Sequence, residues 1–99
     1  MTSRQRSPIF FRVLAIVSKI PKGKVSTYKA VAKAAGTSPR AVGAILNKND
    51  TNAPCHRVVM SDGSIGGYRW GVEKKVKKLD NEGVKVVGGR VKDFEVVTQ

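Results

Sequence analysis

VSTYKAVAKAAGTSPRAVGAILNKN, residues 25–49, sets two helix starts and one helix stop in close succession. Ser26 or Thr27 can cap a short helix with Ala30, Val31 and Ala34 on its inward side, and Gly36 can take the left-handed conformation that ends it. Ser38-Pro39 then caps a second helix whose apolar face holds Val42, Ile45 and Leu46. Two short helices joined by a brief glycine-containing turn read as a helix-turn-helix. The second helix is unusual for a major-groove reader. Beyond Arg40 its outer face offers Ala41, Gly43 and Ala44, which are too small to reach base edges. Small residues permit close backbone approach, which suits the narrower minor groove and little dependence on base sequence.

Working outward, Ser7-Pro8 is a second cap-and-proline start. Ile9, Phe10, Val13, Leu14, Ile16, Val17 and Ile20 follow at helical spacing up to the break at Pro21-Lys22-Gly23. On the other side, HRVVMSDGSIGGY reads as a strand, a Ser-Asp-Gly turn and a glycine-rich return, a hairpin or wing. Gly71 to Gly83 is expected to form a helix with Val72, Val76 and Leu79 inward, and with Lys74, Lys75, Lys77 and Lys78 facing water. The tail, residues 84–99, is β-prone with a Gly-Gly turn, the pattern of a small hairpin. The expected fold is mainly α with a small β hairpin, a winged helix-turn-helix-like DNA-binding domain filling residues 1–99.

The chain has 99 residues, 40% of them hydrophobic, enough for one globular core and too many for a disordered basic tail. Lys and Arg number 19 against 7 Asp and Glu, a net charge of +12. Nucleic acid is the first candidate for the polyanion that would relieve that self-repulsion. No apolar run is long enough to span a membrane, and MTSRQRSPIFF lacks the features of an export signal.

One cysteine and one histidine occur, side by side in PCHRVV, residues 54–59. A lone cysteine forms no internal disulfide and fits a reducing, cytoplasmic setting. One Cys and one His are too few for a zinc site, so no metal and no cofactor are expected. Most free cysteines are simply buried small hydrophobes. Pro54, however, fixes the backbone before Cys55, and Asn49 and Asn52 can tighten the loop. In a regular strand Cys55 and His56 would face opposite ways, so cooperation needs an irregular backbone or a bridging water.

PCHRVV, preceded by VSTYKAVA and PRAVGAIL and followed by GSIGGY, closely resembles the O6-alkylguanine-DNA alkyltransferases, from about Ile9 to Gly83. The resemblance is to their C-terminal active-site domain. Many members add an N-terminal domain for which this chain has no room. The resemblance implies that Cys55 accepts the alkyl group, that His56 draws off the thiol proton through a water, and that Glu82 orients His56. It implies that Asn49, counted from Arg40, braces the loop, and that Tyr68 donates a proton toward the departing guanine. Arg40 would fill the stack vacated by the flipped base, with Tyr28 crowding its phosphate and Ala41 and Gly43 in the minor groove. Leu46, Val58 and Tyr68 would line the guanine pocket. The implied activity is a single-turnover transfer from O6-alkylguanine in double-stranded DNA to the protein, which acts as a monomer.

Two departures stand out. Arg69 and Trp70 occupy positions where the family commonly has small residues, and Arg69 thereby joins the pocket. The DTNA segment, residues 50–53, is also shorter than usual. One alternative is a sensor that flips and holds the lesion and recruits other factors, although that class typically has tryptophan where Cys55 stands. A second is a winged-helix regulator, which the small-residue recognition face disfavours.

Overall fold

A computed structural model of the chain describes residues 7–49 and 51–98. The beginning of the stretch read for an export signal, together with Asp50 and Gln99, lies outside the described residues.

Ser7 caps the first helix as its sequence predicts, its hydroxyl accepting from the Phe10 amide, and α1 runs Pro8–Ser18. Its stripe buries Phe10, Val13, Leu14 and Val17. Strand β1 (Ser26–Thr27) leads into α2 (Tyr28–Ala35), capped by Thr27, whose Oγ1 accepts from the Ala30 amide at 3.0 Å. Gly36, at φ 77°, ends α2, and Thr37 N closes the turn on Ala32 O at 2.9 Å. Ser38 then caps α3 (Pro39–Asn47). The helix-turn-helix is therefore present, with α1 packed across both its helices.

The phase of α2 differs from expectation. Val31, Ala32 and Ala35 are buried, whereas Ala30 and Ala34 face solvent. Alanines at consecutive positions carry no periodicity of their own, so only docking against α1 and α3 selects which of them face inward.

After α3, residues Cys55–Arg57 form one 3₁₀ turn, and β2 (Val58–Val59) follows. The expected hairpin after Cys55 closes only at its turn, where Met60 N donates to Ser64 O, and builds no strand ladder with the glycine-rich return. Instead β2 pairs in parallel with β1, Ser26 opposite Val58 and Thr27 opposite Val59. Val58 and Val59 point to opposite sides of this strand and belong to different cores. Val58 joins the helix-turn-helix core, while Val59 packs with Val25, Ile65, Leu79, Val84 and Val91.

Helix α4 (Val72–Asn81) covers the second core through Leu79. Two assignments on it change. Val72, expected inward, is 44% exposed, and Lys75, expected in water, is completely buried. The tail does form a hairpin, β3 (Val86–Val87) against β4 (Arg90–Val91), turned by Gly88 and Gly89 at positive φ. It then continues into a short helix, α5 (Phe94–Val97). The tail supplies the backbone partners that the glycine-rich return was expected to find nearby. Ile65 N donates to Gly89 O, Val91 N to Gly63 O, and Val25 N to Val97 O.

Candidate active site and nucleic-acid interface

The 3₁₀ turn places Cys55 and His56 on two sides of one wall. Both are nearly buried, at 5% and 7% exposure. The cysteine sits in the helix-turn-helix core and lines a cavity of about 350 Å³. Tyr28, Gly43, Leu46, Tyr68 and Arg69 line the same cavity, with Ala44, Asn47 and Gly67 completing it. His56 instead faces a larger cavity of about 970 Å³ and a cleft of about 300 Å³ beside Lys22, Lys78 and Glu82. Among the described residues no hydrogen bond joins Cys55 to His56 directly.

Glu82, the C-cap of α4, meets His56 across the fold. Its Oε2 lies 2.9 Å from His56 Nε2. A carboxylate can only accept, so Nε2 carries the hydrogen and Nδ1 keeps a free lone pair. Arg57 holds the same carboxylate with two donors, Nε at 2.9 Å and Nη2 at 2.7 Å, and spends Nη1 on the Ile20 carbonyl. Burial pulls the His56 imidazole below its ordinary value, and the Arg57 and Lys78 cations add to this against the opposing pull of Glu82. Histidine is therefore neutral at pH 7 and able to accept a proton. Burial alone would raise Glu82, but hydrogen bonds from Arg57 and His56 overcome it and hold the carboxyl below the usual range.

Asn49 is fully buried and ties its loop together. Its Nδ2 donates to Ala53 O at 3.2 Å, and its Oδ1 accepts from Thr51 N at 2.9 Å and from Thr51 Oγ1 at 2.5 Å. The short loop is further clamped by Arg69, whose Nη1 donates to the Asn49 carbonyl at 2.5 Å. Trp70 stacks under the Arg69 guanidinium, 5.2 Å from ring centroid, and meets Tyr68 edge-on at 5.3 Å. The two departures thus meet in one arrangement, a shortened loop held by an arginine that small residues could not replace.

One residue expected on the cavity lining stands elsewhere. Val58 lies in the core behind the cavity rather than on its lining. Arg40 and Ala41 occupy the first turn of α3, Arg40 exposed and Ala41 half-buried, outside the small cavity.

Two residues of the site escaped sequence reading. Arg57 lies within PCHRVV, directly after His56, and that placement is the available signal. Lys75 gave none, being one lysine in a run of them. Its Nζ donates to Val58 O at 2.7 Å and Gly67 O at 2.9 Å, and lies 5.7 Å from the Tyr28 ring centroid. Burial lowers its ammonium to about 8. Tyr28 shares Gly67 O as an acceptor, at 3.4 Å, and burial raises its phenol above the ordinary value. Lys75 therefore stitches the glycine-rich wall of the cavity to the strand that follows Cys55.

No cluster of three His, Cys, Asp or Glu residues able to hold a metal occurs among the described residues, and no helix among them is long and apolar enough to cross a membrane.

A helix-turn-helix domain that sets a lone, nearly buried cysteine against a cavity beside its second helix defines a DNA-binding class with a thiol at its centre. Comparison with known proteins makes this specific: the chain belongs to the family of the 6-O-methylguanine DNA methyltransferase, DNA binding domain, whose model matches residues 8–84. That family serves DNA repair of the alkylguanine-DNA alkyltransferase type. The chain is 52% identical over 81 residues to the methylated-DNA–protein-cysteine methyltransferase of Saccharolobus solfataricus, covering 80% of this chain and 53% of the relative. It is 48% identical over 79 residues to the one from Methanothermobacter thermautotrophicus, covering 78% and 45%. The chain thus spans about half the length of these curated relatives. Among solved structures, Schizosaccharomyces pombe Atl1 in complex with damaged DNA containing O6-carboxymethylguanine superposes with a TM-score of 0.81 at 29% identity, covering 92% of this chain and 94% of that one. The O6-methylguanine-DNA methyltransferase of the hyperthermophilic archaeon Pyrococcus kodakaraensis gives 0.72 at 43% identity, covering 79% and 47%.

Proposed function

We propose that this protein repairs double-stranded DNA by transferring an alkyl group from the O6 position of guanine irreversibly to Cys55. The observation that carries the reading is that Cys55 lines a small cavity beside α3 while the next residue, His56, shares the Glu82 carboxylate with Arg57.

To reach Cys55 the damaged nucleotide leaves the duplex. Arg40, exposed at the start of α3, fills its place in the stack. Ala41 and Gly43 let the helix backbone approach the minor groove, Tyr28 crowds the phosphate, and Leu46 and Arg69 bound the base. The thiolate, not the thiol, is the nucleophile, so the sulfur must give up its proton before it attacks. The proton passes through a water to His56 Nδ1, whose ring Glu82 orients through Nε2–H. Sulfur then attacks the carbon attached to O6: an S–C bond forms and the C–O6 bond breaks. The electron pair stays on the guanine, which takes a proton from Tyr68. Asn49 keeps the loop in place. The thioether has no nearby group to cleave it, so each molecule acts once. A reactive free thiol belongs in a reducing compartment, so a monomer in the cytoplasm is the proposed setting.

Intact-protein mass after incubation with a duplex containing one O6-methylguanine tests this. A gain of one CH₂ at Cys55, absent in Cys55→Ser, is expected. Tight, lesion-preferring binding with no mass gain would replace it with a second reading, a sensor that holds the lesion for other repair factors. One observation favours that alternative: Atl1, with its damaged DNA, matches nearly the whole chain, whereas the archaeal methyltransferase covers 79% of it.

A further inference from the structure

We propose that Lys74 and Lys78 make the larger cavity select, among O6 substituents longer than methyl, those that end in an anionic group. This rests on the function proposed above and names its substrate class. The two cavities have only Tyr68 in common, and the wall between them continues through consecutive residues: Pro54 faces the larger one and Cys55 the smaller. A flipped guanine held against Cys55 takes up the small cavity, so an O6 chain extending beyond its first carbon has its way out past Pro54 and Tyr68.

The chemistry of the receiving cavity is cationic. Lys74 and Lys78, one turn apart on α4, both line it, both are exposed, and neither makes an ion pair among the described residues. None of the described lining residues is acidic. Arg57 and His56 also face it, but the Arg57 charge is met by Glu82, its Nη1 by the Ile20 carbonyl, and the neutral His56 directs its Nε2–H to Glu82, which leaves the two lysines to answer an incoming anion. Trp70, 44% exposed, supplies an apolar wall for the chain that carries it. A carboxylate several bonds beyond O6 would thus pass an aromatic wall and end between two ammonium groups, which can donate charge-assisted hydrogen bonds to it.

The test uses duplexes carrying one O6-(3-carboxypropyl)guanine, its neutral isostere O6-(3-carbamoylpropyl)guanine, or O6-methylguanine, read by competition binding and by transfer rate. Wild-type protein is expected to favour the carboxylate over the amide by about threefold to tenfold, the range of one or two partly exposed ion pairs. Lys74→Glu, at an exposed position that leaves the core intact and leaves Lys78 beside His56, is expected to bring that ratio down to about one while keeping the transfer of O6-methylguanine. A carboxylate-to-amide ratio of one in the wild type, or a full preference that survives in Lys74→Glu, overturns the proposal while leaving methyl transfer standing. Failure of methyl transfer instead strikes the proposed function, and the binding ratio still decides the cavity's charge preference.

Discussion

Lys75 Nζ lies 2.7 Å from the carbonyl oxygen of Val58, and the lysine is completely shielded from solvent. The contact joins α4 to the strand that begins just after the cysteine turn, and a second bond from Nζ to Gly67 O fixes the opposite wall of the cavity. Loss of the ammonium proton leaves two N–H groups, enough for both carbonyls.

Lys75→Met should therefore destabilise the protein, because it leaves the buried Val58 carbonyl without its lysine donor at about 1–3 kcal/mol, offset in part by the ammonium no longer buried, while Gly67 O keeps Tyr28 and solvent. The sign of the pH effect follows from the lowered lysine. Between its folded value of about 8 and the ordinary 10.5 the unfolded chain binds more protons, so the lysine's contribution to stability increases with pH. Denaturant titrations should show the gap between wild type and variant widening by about 2 kcal/mol from pH 7.5 to 10. A gap independent of pH would contradict the assignment.

Glu82→Gln removes the anion shared by His56 and Arg57. An Arg57 guanidinium left nearly buried without its carboxylate should cost about 3 kcal/mol of stability. Loss of the oriented imidazole should slow single-turnover transfer to O6-methylguanine duplexes by about 10²-fold. Quench-flow kinetics at a temperature where the variant remains folded separates the two effects.

Acid should impair both folding and transfer through His56. Its folded pKa is lowered, so its contribution to stability is present above the ordinary value near 6.5 and is lost as pH falls through that value toward the folded one. The acid limb of the rate profile should accordingly lie below 6.5. Because Glu82 pulls the imidazole upward, Glu82→Gln should move that limb to still lower pH. A limb moving the other way would show that Glu82 does not act on this histidine.

Gly43 has nothing within 4 Å of where a Cβ would lie, and it sits inside α3 in helical conformation. Gly43→Ala should raise stability by about 0.5–1 kcal/mol through the unfolded chain's lost freedom. The added methyl also projects toward the small cavity and the surface proposed to meet DNA. Thermal melting and duplex anisotropy should thus move in opposite directions, more stable protein and weaker binding.

Local signals carried much of what could be read in advance. Ser7, Thr27 and Ser38 act as caps and Gly36 as a left-handed stop because each makes its hydrogen bond or turn within a few residues, where spacing along the chain is spacing in space. PCHRVV, alone in holding the chain's cysteine and histidine, marked the site, and Glu82 could be found by its place in the family pattern. Its grip on His56 and Arg57, from the far end of α4, could be measured only in the fold.

The sequence by itself determined the helix-turn-helix, the tail hairpin and the pairing of its one cysteine with its one histidine, since these follow from local propensity and from residue chemistry. Tertiary structure alone decided that β2 pairs with β1 instead of folding back on the glycine-rich return, that Ala32 and Ala35 rather than Ala30 and Ala34 face inward, and that Lys75 leaves water while Lys74 and Lys78 stay in it. A parallel pairing joins strands far apart in the chain, and a run of alanines or lysines has no period to mark one member. Only the docking of α4 over the carbonyls of Val58 and Gly67 distinguishes one lysine from its neighbours.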